Sequence, residues 1–388
     1  MTRDKSSATY QVAILATGDE ICNGDIANSN SQEIAQRLFS HGIHVGTHMT
    51  VADNLTDLAT AMQFLLQNHC ALIMTGGLGP TSDDLTRQAL SHVLQRQLIF
   101  DEPTWQAIVA RLQRFGFHPP PESNKQQALF PEGATIIPNP NGTAAGCMLK
   151  QASLSAEDSG AEQFIFMLPG PPMECLPMFD KVVLPTLKSN HFQKILYYDK
   201  WLLFGISEAQ IAEELDRLAE PFDCTTGYRF WYPYIEFKLY SNNQADFTRL
   251  VPLIEKAIAP YLIGNGKAAA SDLLKEKILT LNSTFIICDF ATGGLLESIL
   301  KTPETNAKLR FSYDLKNISS TELQVNILGL TEFWQNQTDY TNTLLEIHFI
   351  AQKKQHENKI SLPFRGYRIK QYAVEFICWQ VYKFLAAL

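Results

Sequence analysis

Residues 70–84 read CALIMTGGLGPTSDD. A continuous apolar run that ends in glycines is what a parallel strand covered on both faces requires. The turn Thr75-Gly76-Gly77-Leu78-Gly79-Pro80 then leads into a helical pattern expected from about Asp84 to Leu94. Working outward, VAILATG (12–18) is a second run of the same kind, and residues 29–41 place Ile34, Leu38 and Phe39 on one helix face. HVGTHMTV (44–51) reads as a strand and LATAMQFLLQN (58–68) as a helix. Strands alternating with helices across short loops form βαβ units. The expected fold is therefore α/β, with a mostly parallel sheet between two helical layers.

Farther along, a helix is expected at Trp105–Phe115, with short strands near Thr135–Ile137 and Gly146–Lys150. Residues 151–162 are small and polar, as in an exposed hairpin or loop, and QFIFMLPGPP (163–172) gives another buried strand closed by a Pro/Gly turn. The first domain is drawn as 1–171. A small α+β module of order βαββα is expected over 172–263, its first helix opened by Ser207 and Gln210 as a capping box. GNGKAAA (264–270) has linker composition, and a third domain is drawn as 271–388.

Composition narrows the function. The chain has 388 residues, 45% apolar and 19% charged, with 32 Lys plus Arg against 40 Asp plus Glu and a formal net charge of −8. Two or three domains fit that length. An acidic chain argues against nucleic acid as partner. No stretch approaches the roughly 18 to 20 consecutive apolar residues of a membrane span, so no membrane association is expected. Seven scattered cysteines, none in a C-x-x-C pair, speak against a disulfide framework and a thiolate zinc site, and for a reducing, cytoplasmic setting.

Three loops follow apolar strands: Thr17-Gly18-Asp19-Glu20, Thr75 to Asp84, and Pro169-Gly170-Pro171-Pro172. In open parallel sheets such loops converge on one crevice at the carboxyl ends of the strands. Gly76, Gly77 and Gly79 bring backbone N–H groups close to a ligand, Pro80 stiffens the turn, and Thr81 and Ser82 offer hydroxyls. A helix start behind them favours an anion, phosphate above all. The Gly-Lys-Ser/Thr of a Walker loop is missing. Asp19, Glu20, Asp83 and Asp84 crowd the same crevice, and carboxylates repel a diphosphate. Either a divalent cation such as Mg, Mn or Co bridges them, which implies metal-assisted hydrolysis of a phosphoanhydride, or they accept hydrogen bonds from sugar or ring groups, which implies recognition of a nucleotide or pterin without turnover. Asn139-Pro140-Asn141-Gly142-Thr143 adds a polar Gly loop, and Lys125 a cation within reach of a phosphate or else at a solvated helix start. Taken singly, the Gly turn is equally a tight strand–helix connection and each Asp an N-cap.

The residues TGDEICNGDIANSN (17–30), TGGLGPTSDDLTRQAL (75–90), NKQQALFPEGA (124–134), PNPNGTAAG (138–146) and LPGPPME (168–174) resemble the competence-damage inducible CinA family, whose first domain is similar to the molybdopterin-binding MoaB/Mog fold. Through FGISE (204–208) the middle module resembles the family's KH-like unit, without a G-x-x-G loop. The resemblance implies metal-dependent hydrolysis of ADP-ribose to AMP and ribose 5-phosphate, in pyridine-nucleotide salvage, by a homodimer. It carries the roles onto Asp19, Glu20, Gly76, Gly77, Gly79, Thr81, Asp83 and Asp84. The alternatives are a pterin- or nucleotide-binding protein without turnover, and a scaffold.

The family's C-terminal domain deamidates nicotinamide mononucleotide through a serine in A-E-S-C-T-G-G. Here the segment reads Cys288-Asp289-Phe290-Ala291-Thr292-Gly293-Gly294, so Phe290 stands at the nucleophile's position and fills the space of the substrate amide. Tyr313 and Lys316 are poor matches to the family's Tyr and Lys, and LQVNILGLTEFWQ (323–335) stands where a Gly-rich segment belongs. Cys288, in an apolar strand, reads as a packing residue. A degenerate, non-hydrolytic domain is expected. His41, His44 and His48 read as capping or surface groups, and the aromatic run around Trp231 as hairpin packing, a base-stacking platform or a dimer contact, with no function assigned.

Overall fold

A computed structural model describes residues 12–154, 162–313, 323–337, 341–351, 354–363 and 365–387. Two compact units divide the chain, Met1–Ile195 and Leu196–Leu388.

The first unit runs β1 (Val12–Thr17), α1 (Asp19–Cys22), α2 (Ser29–Ser40), β2 (Val45–Val51), α3 (Leu55–Asn68), β3 (Ala71–Thr75), α4 (Thr86–Leu94), β4 (Leu98–Phe100), α5 (Glu102–Arg114), β5 (Leu129–Pro131), β6 (Thr135–Ile137), β7 (Gly146–Ala152), β8 (Glu162–Leu168), α6 (Pro172–Met178) and α7 (Leu184–Ser189). Its main sheet has the order β2-β1-β3-β8-β7-β6. The first four strands are parallel, while β7 is antiparallel to both its neighbours. Alternate residues of each buried strand feed opposite layers. Val12, Ile14, Ile73 and Phe166 pack on α2, α6 and α7 through Ile34, Leu38, Cys175, Phe179 and Leu187. Ala13, Leu15, Met74 and Met167 pack on α3 and α4 through Leu58, Met62, Leu65 and Leu90. The three-layer α/β/α expectation holds.

Two details differ. The first unit does not end at residue 171: Cys175, Phe179, Val183 and Leu187 recur every four residues, one helix face, and fill its core, each 0% exposed. Helix α4 begins at Thr86, not Asp84, which leaves Asp84 in the preceding turn.

The second unit runs β9 (Tyr197–Phe204), α8 (Glu208–Ala219), β10 (Thr225–Trp231), β11 (Tyr234–Ser241), α9 (Gln244–Ile258), α10 (Ala270–Leu279), β12 (Phe285–Asp289), α11 (Leu295–Leu300), β13 (Leu309–Phe311), β14 (Leu323–Gly329), α12 (Thr331–Trp334), β15 (Asn342–Ala351), β16 (Lys354–Pro363) and α13 (Ile369–Ala386). The βαββα order of the middle module is present, and the Ser207 N–H donates to Gln210 Oε1 at 3.3 Å in its capping box. Its three-stranded sheet has the order β10-β11-β9, and a five-stranded sheet follows in the order β13-β12-β14-β15-β16. Leu202 and Tyr234 of the small sheet share one core with Ile287, Val325 and Ile347 of the larger sheet and with Leu274 of α10 and Ile377 of α13. The two expected C-terminal domains are thus fused by a common interior. All seven cysteines are free thiols. Among the described residues, no helix is long and apolar enough to cross a membrane.

Candidate functional site

The parallel register places Ala16 beside Thr75, and Thr75 beside Leu168. Strands β1, β3 and β8 therefore end at one level. Because β1 connects to β2 on one side while β3 lies on its other side, the loops after β1 and β3 diverge and leave a cleft. Gly76 N–H donates to Leu168 O at 3.1 Å, and Asn30 Nδ2 to Gly170 O at 2.6 Å, so all three loops meet. Close approach is why the glycines are needed: a Cβ on Gly76 (φ +99°) would strike Thr17 O, and one on Gly77 (φ +63°) would strike Thr86 Oγ1.

The result is a crevice of about 560 Å³. Of the residues foreseen, Gly18, Glu20, Gly76, Gly77, Gly79, Pro80, Thr81, Asp83, Asp84, Thr143 and Gly170 line it. Asp53, Glu174, Asn28 and Asn30 line it as well and were not foreseen. Among the described residues, its five carboxylates, Glu20, Asp53, Asp83, Asp84 and Glu174, are accompanied in the lining by no lysine or arginine.

The turn before α4 is saturated by its own side chains. Asp84 Oδ1 accepts from Gly79 N–H at 2.6 Å, and its Oδ2 from Thr81 N–H at 2.8 Å and Thr81 Oγ1 at 2.5 Å. Two of the amides expected to grip phosphate are thus taken by a carboxylate inside the same loop. The carbonyls are held too: Arg87 Nη2 donates to Leu78 O at 2.6 Å, and Gln126 Nε2 to Gly79 O at 3.1 Å and Thr81 O at 2.7 Å. Arg87 is 1% exposed, and burial pushes its pKa down to about 10, so it stays charged at neutral pH. The loop is therefore held by partners within the protein.

Other expected residues are placed differently. Asp19 Oδ1 accepts from Asp53 N–H at 3.0 Å, while Asp53 Oδ2 accepts from Asp19 N–H at 3.2 Å and its Oδ1 from Thr17 Oγ1 at 2.5 Å. Asp19 therefore ties the β1 loop to the β2 loop and does not line the crevice. Burial raises the Asp53 pKa, offset in part by those two hydrogen bonds. Lys125 is paired with Glu122 at 2.7 Å, over the Trp105 ring, away from the crevice. Ser82 is exposed and is not among the lining residues. Asn139 donates to Glu174 at 2.6 Å and accepts from Gly142 N–H at 2.9 Å, holding the 139–144 loop; both line a neighbouring cavity of about 640 Å³ on the α5 side.

In the second unit, Phe290 is 41% exposed and does not fill the turn at 292–294. The indole of Trp334 does: its Nε1 donates to Ala291 O at 2.7 Å, and a Cβ on Gly293 would meet it at 2.5 Å. Tyr313 donates to Glu297 at 2.9 Å; Lys316 lies outside the described residues. Cys288 is fully buried, as expected of a packing residue. His41 caps α2, with its Nδ1 2.8 Å from Arg37 O.

The family profile described as a probable molybdopterin binding domain matches residues 13–189. That span covers the α/β/α unit and its crevice, which define a domain of this class. A competence-damage inducible protein of Acetivibrio thermocellus is 38% identical over 295 residues, 74% of this chain and 68% of that protein. One of Alkaliphilus metalliredigens is 32% identical over 299 residues, 74% of this chain and 69% of that protein. Among solved structures, CinA of Thermoplasma acidophilum is 25% identical with a TM-score of 0.39, covering 47% of this chain and 99% of that one. The chain belongs to the competence-damage inducible, CinA-like family.

Proposed function

We propose that the first unit hydrolyses the diphosphate of a nucleotide sugar, ADP-ribose first, to AMP and ribose 5-phosphate with the help of a divalent cation. The observation that carries this reading is the charge of the crevice: among the described residues its lining has five carboxylates and no basic side chain. A diphosphate cannot enter such a place unless a cation enters with it.

The donor set fits one kind of ion. Among the described residues, no three carboxylates of the crevice fall within 4.8 Å of one another, so no all-protein cage stands ready. Magnesium-type ions need none, since they keep waters and bind through one or two carboxylates plus substrate phosphates. Glu20 and Asp83 are the proposed holders, with Asp53 beside them; the Thr81 hydroxyl hydrogen-bonds to Asp83 and holds its carboxyl below the ordinary range, so it is ready as an anion. When bound, the ion supplies charge neutralisation and a polarised water. Asp19 and Asp84 are positioning residues: one fixes the β1 loop, the other the Gly79–Thr81 turn. The starts of α2 and α6 at Asn28–Asn30 and Pro171–Pro172 turn positive helix ends toward the ligand. Asn30 is 8% exposed and its Oδ1 has no hydrogen-bond partner, which makes it an acceptor for a ribose hydroxyl or a ring N–H. The second unit, with Trp334 over its Gly turn and no serine at Phe290, is assigned no hydrolytic role.

Purified protein incubated with ADP-ribose and magnesium, manganese or cobalt is expected to release AMP, and to stop on adding EDTA. Saturable ligand binding with no AMP under any ion would move the reading to a nucleotide- or pterin-binding protein. Recovery of a stoichiometric partner in place of either would make the chain a scaffold.

A further inference from the structure

Within the second unit, the hairpin β15–β16 brings side chains of its two strands together. Glu346 and His348 are two residues apart on β15 and share its less buried face, since Leu345 and Ile347 point into the core. The antiparallel register sets His348 opposite Glu357, and Glu346 opposite Lys359. Among the described residues, Glu346, His348 and Glu357 are the one group of three metal-ligating side chains whose donor atoms lie within 4.8 Å of one another.

The spacing is informative. His348 Nε2 is 3.6 Å from Glu346 Oε2 and 3.6 Å from Glu357 Oε1. That is too long for an N–H···O hydrogen bond. It is close to the separation of two ligands around one ion, about 3.4 Å for bonds of about 2.1 Å at a tetrahedral angle. Nε2 is also closed to solvent and has no hydrogen-bond partner, although its ring edge is partly exposed. The imidazole nitrogen thus stands near both carboxylates and hydrogen-bonds to neither. Lys359 Nζ stands 3.3 Å from Glu346 Oε1 and 3.2 Å from Glu357 Oε1 and draws the carboxylates together. One ammonium stands against two carboxylates, which leaves one carboxylate charge in the cluster unmatched by lysine.

We propose that Glu346, His348 and Glu357 bind a borderline divalent transition ion, zinc being the best match, with Lys359 as a resident cation that competes for the same carboxylates. One imidazole and two carboxylates favour zinc or cobalt over magnesium or calcium, and three protein ligands leave a fourth position for water. The oxygen-only crevice of the first unit has the opposite preference, and this inference does not rest on it.

The test uses the full chain stripped of metal, loaded with zinc sulfate, desalted and analysed for zinc, with cobalt(II) absorption as a second readout. The wild type is expected to retain one zinc more than His348→Ala, and to show tetrahedral cobalt bands which that variant lacks. Lys359→Met, with the competing charge removed, is expected to hold zinc roughly tenfold more tightly, the scale of one unit charge a few ångströms away at a protein surface. Equal zinc content and equal cobalt spectra in wild type and His348→Ala, both folded by circular dichroism, overturn the site. Unchanged zinc affinity in Lys359→Met overturns the role of the lysine.

Discussion

Two Thr-Gly-Gly turns in this molecule follow a strand with parallel neighbours on both sides. One is Thr75-Gly76-Gly77 after β3, the other Thr292-Gly293-Gly294 just beyond β12. In both, a threonine hydroxyl braces the turn: Thr86 Oγ1 donates to Gly76 O at 2.9 Å, and Thr292 Oγ1 accepts from Leu296 N–H at 3.1 Å while donating to Asp289. What lies above the glycines differs. Over the first is a crevice of about 560 Å³ lined with acids. Over the second lies the Trp334 indole, itself 5.4 Å beneath the Lys370 ammonium. A glycine turn is a licence for close approach; whether a ligand or the protein's own side chain makes that approach decides whether it can be a site.

Three experiments sharpen that contrast, in decreasing order of effect, and a fourth tests a charge cluster on the small sheet of the second unit. Glu20→Gln combined with Asp83→Asn should lower metal-dependent AMP release at least about 100-fold, the upper end of what outer-shell partners of a metal contribute. A smaller loss would shift cation binding to Asp53. Asp84→Ala strips Gly79 and Thr81 of their acceptor. It should cost about 2 kcal/mol of stability in urea unfolding, the scale of hydrogen bonds to a charged group, and raise KM more than it lowers kcat. Trp334→Ala should uncover the second turn at a cost of about 1–2 kcal/mol, since the ring is half-exposed. Ammonia from nicotinamide mononucleotide should stay at background in both proteins, because Phe290 offers no nucleophile. Turnover in the variant would show that Trp334 alone had closed a working site.

The fourth concerns pH. Burial alone would raise the Glu236 pKa, but Lys238, Arg229 and Lys200 around it hold it below the ordinary glutamate value. A carboxyl depressed in the folded state stabilises above its unfolded pKa, about 4.3, and that contribution fades as pH falls toward the folded value. The stability gap between wild type and Glu236→Gln should be widest near neutral pH and shrink below about pH 4.5. A gap that stays constant down to pH 3 would mean that packing, not charge, sets it.

The sequence carried the first unit well because β1, β3 and β8 are unbroken apolar runs, a signal that survives without knowledge of partners. The boundary was misplaced because Pro169-Gly170-Pro171-Pro172 reads as an exit, while the i, i+4 series from Cys175 to Leu187 that returns the chain to the core is visible only as a helix face. Of the candidate site, Asp19 turns away to Asp53, whereas the glycines after β1 and β3 and Glu20 were legible, since a strand's end fixes where its next residues lie. Asp53, Asn30 and Glu174 were not, because each reaches the crevice from a helix start or from the end of β2, whose alternating burial gives a weaker mark. That Asp84 would occupy amides of its own loop depends on turn geometry that spacing does not encode. The Glu346–His348–Glu357 group is set by cross-strand register, which a linear sequence leaves open.

Linkage offers the most direct test of the crevice. If ADP-ribose enters only with a cation, its affinity measured by isothermal titration must rise with magnesium, and magnesium affinity must rise by the same factor with ADP-ribose. A reciprocal gain that disappears in Glu20→Gln is expected. ADP-ribose binding equally tight in EDTA and in saturating magnesium would contradict it.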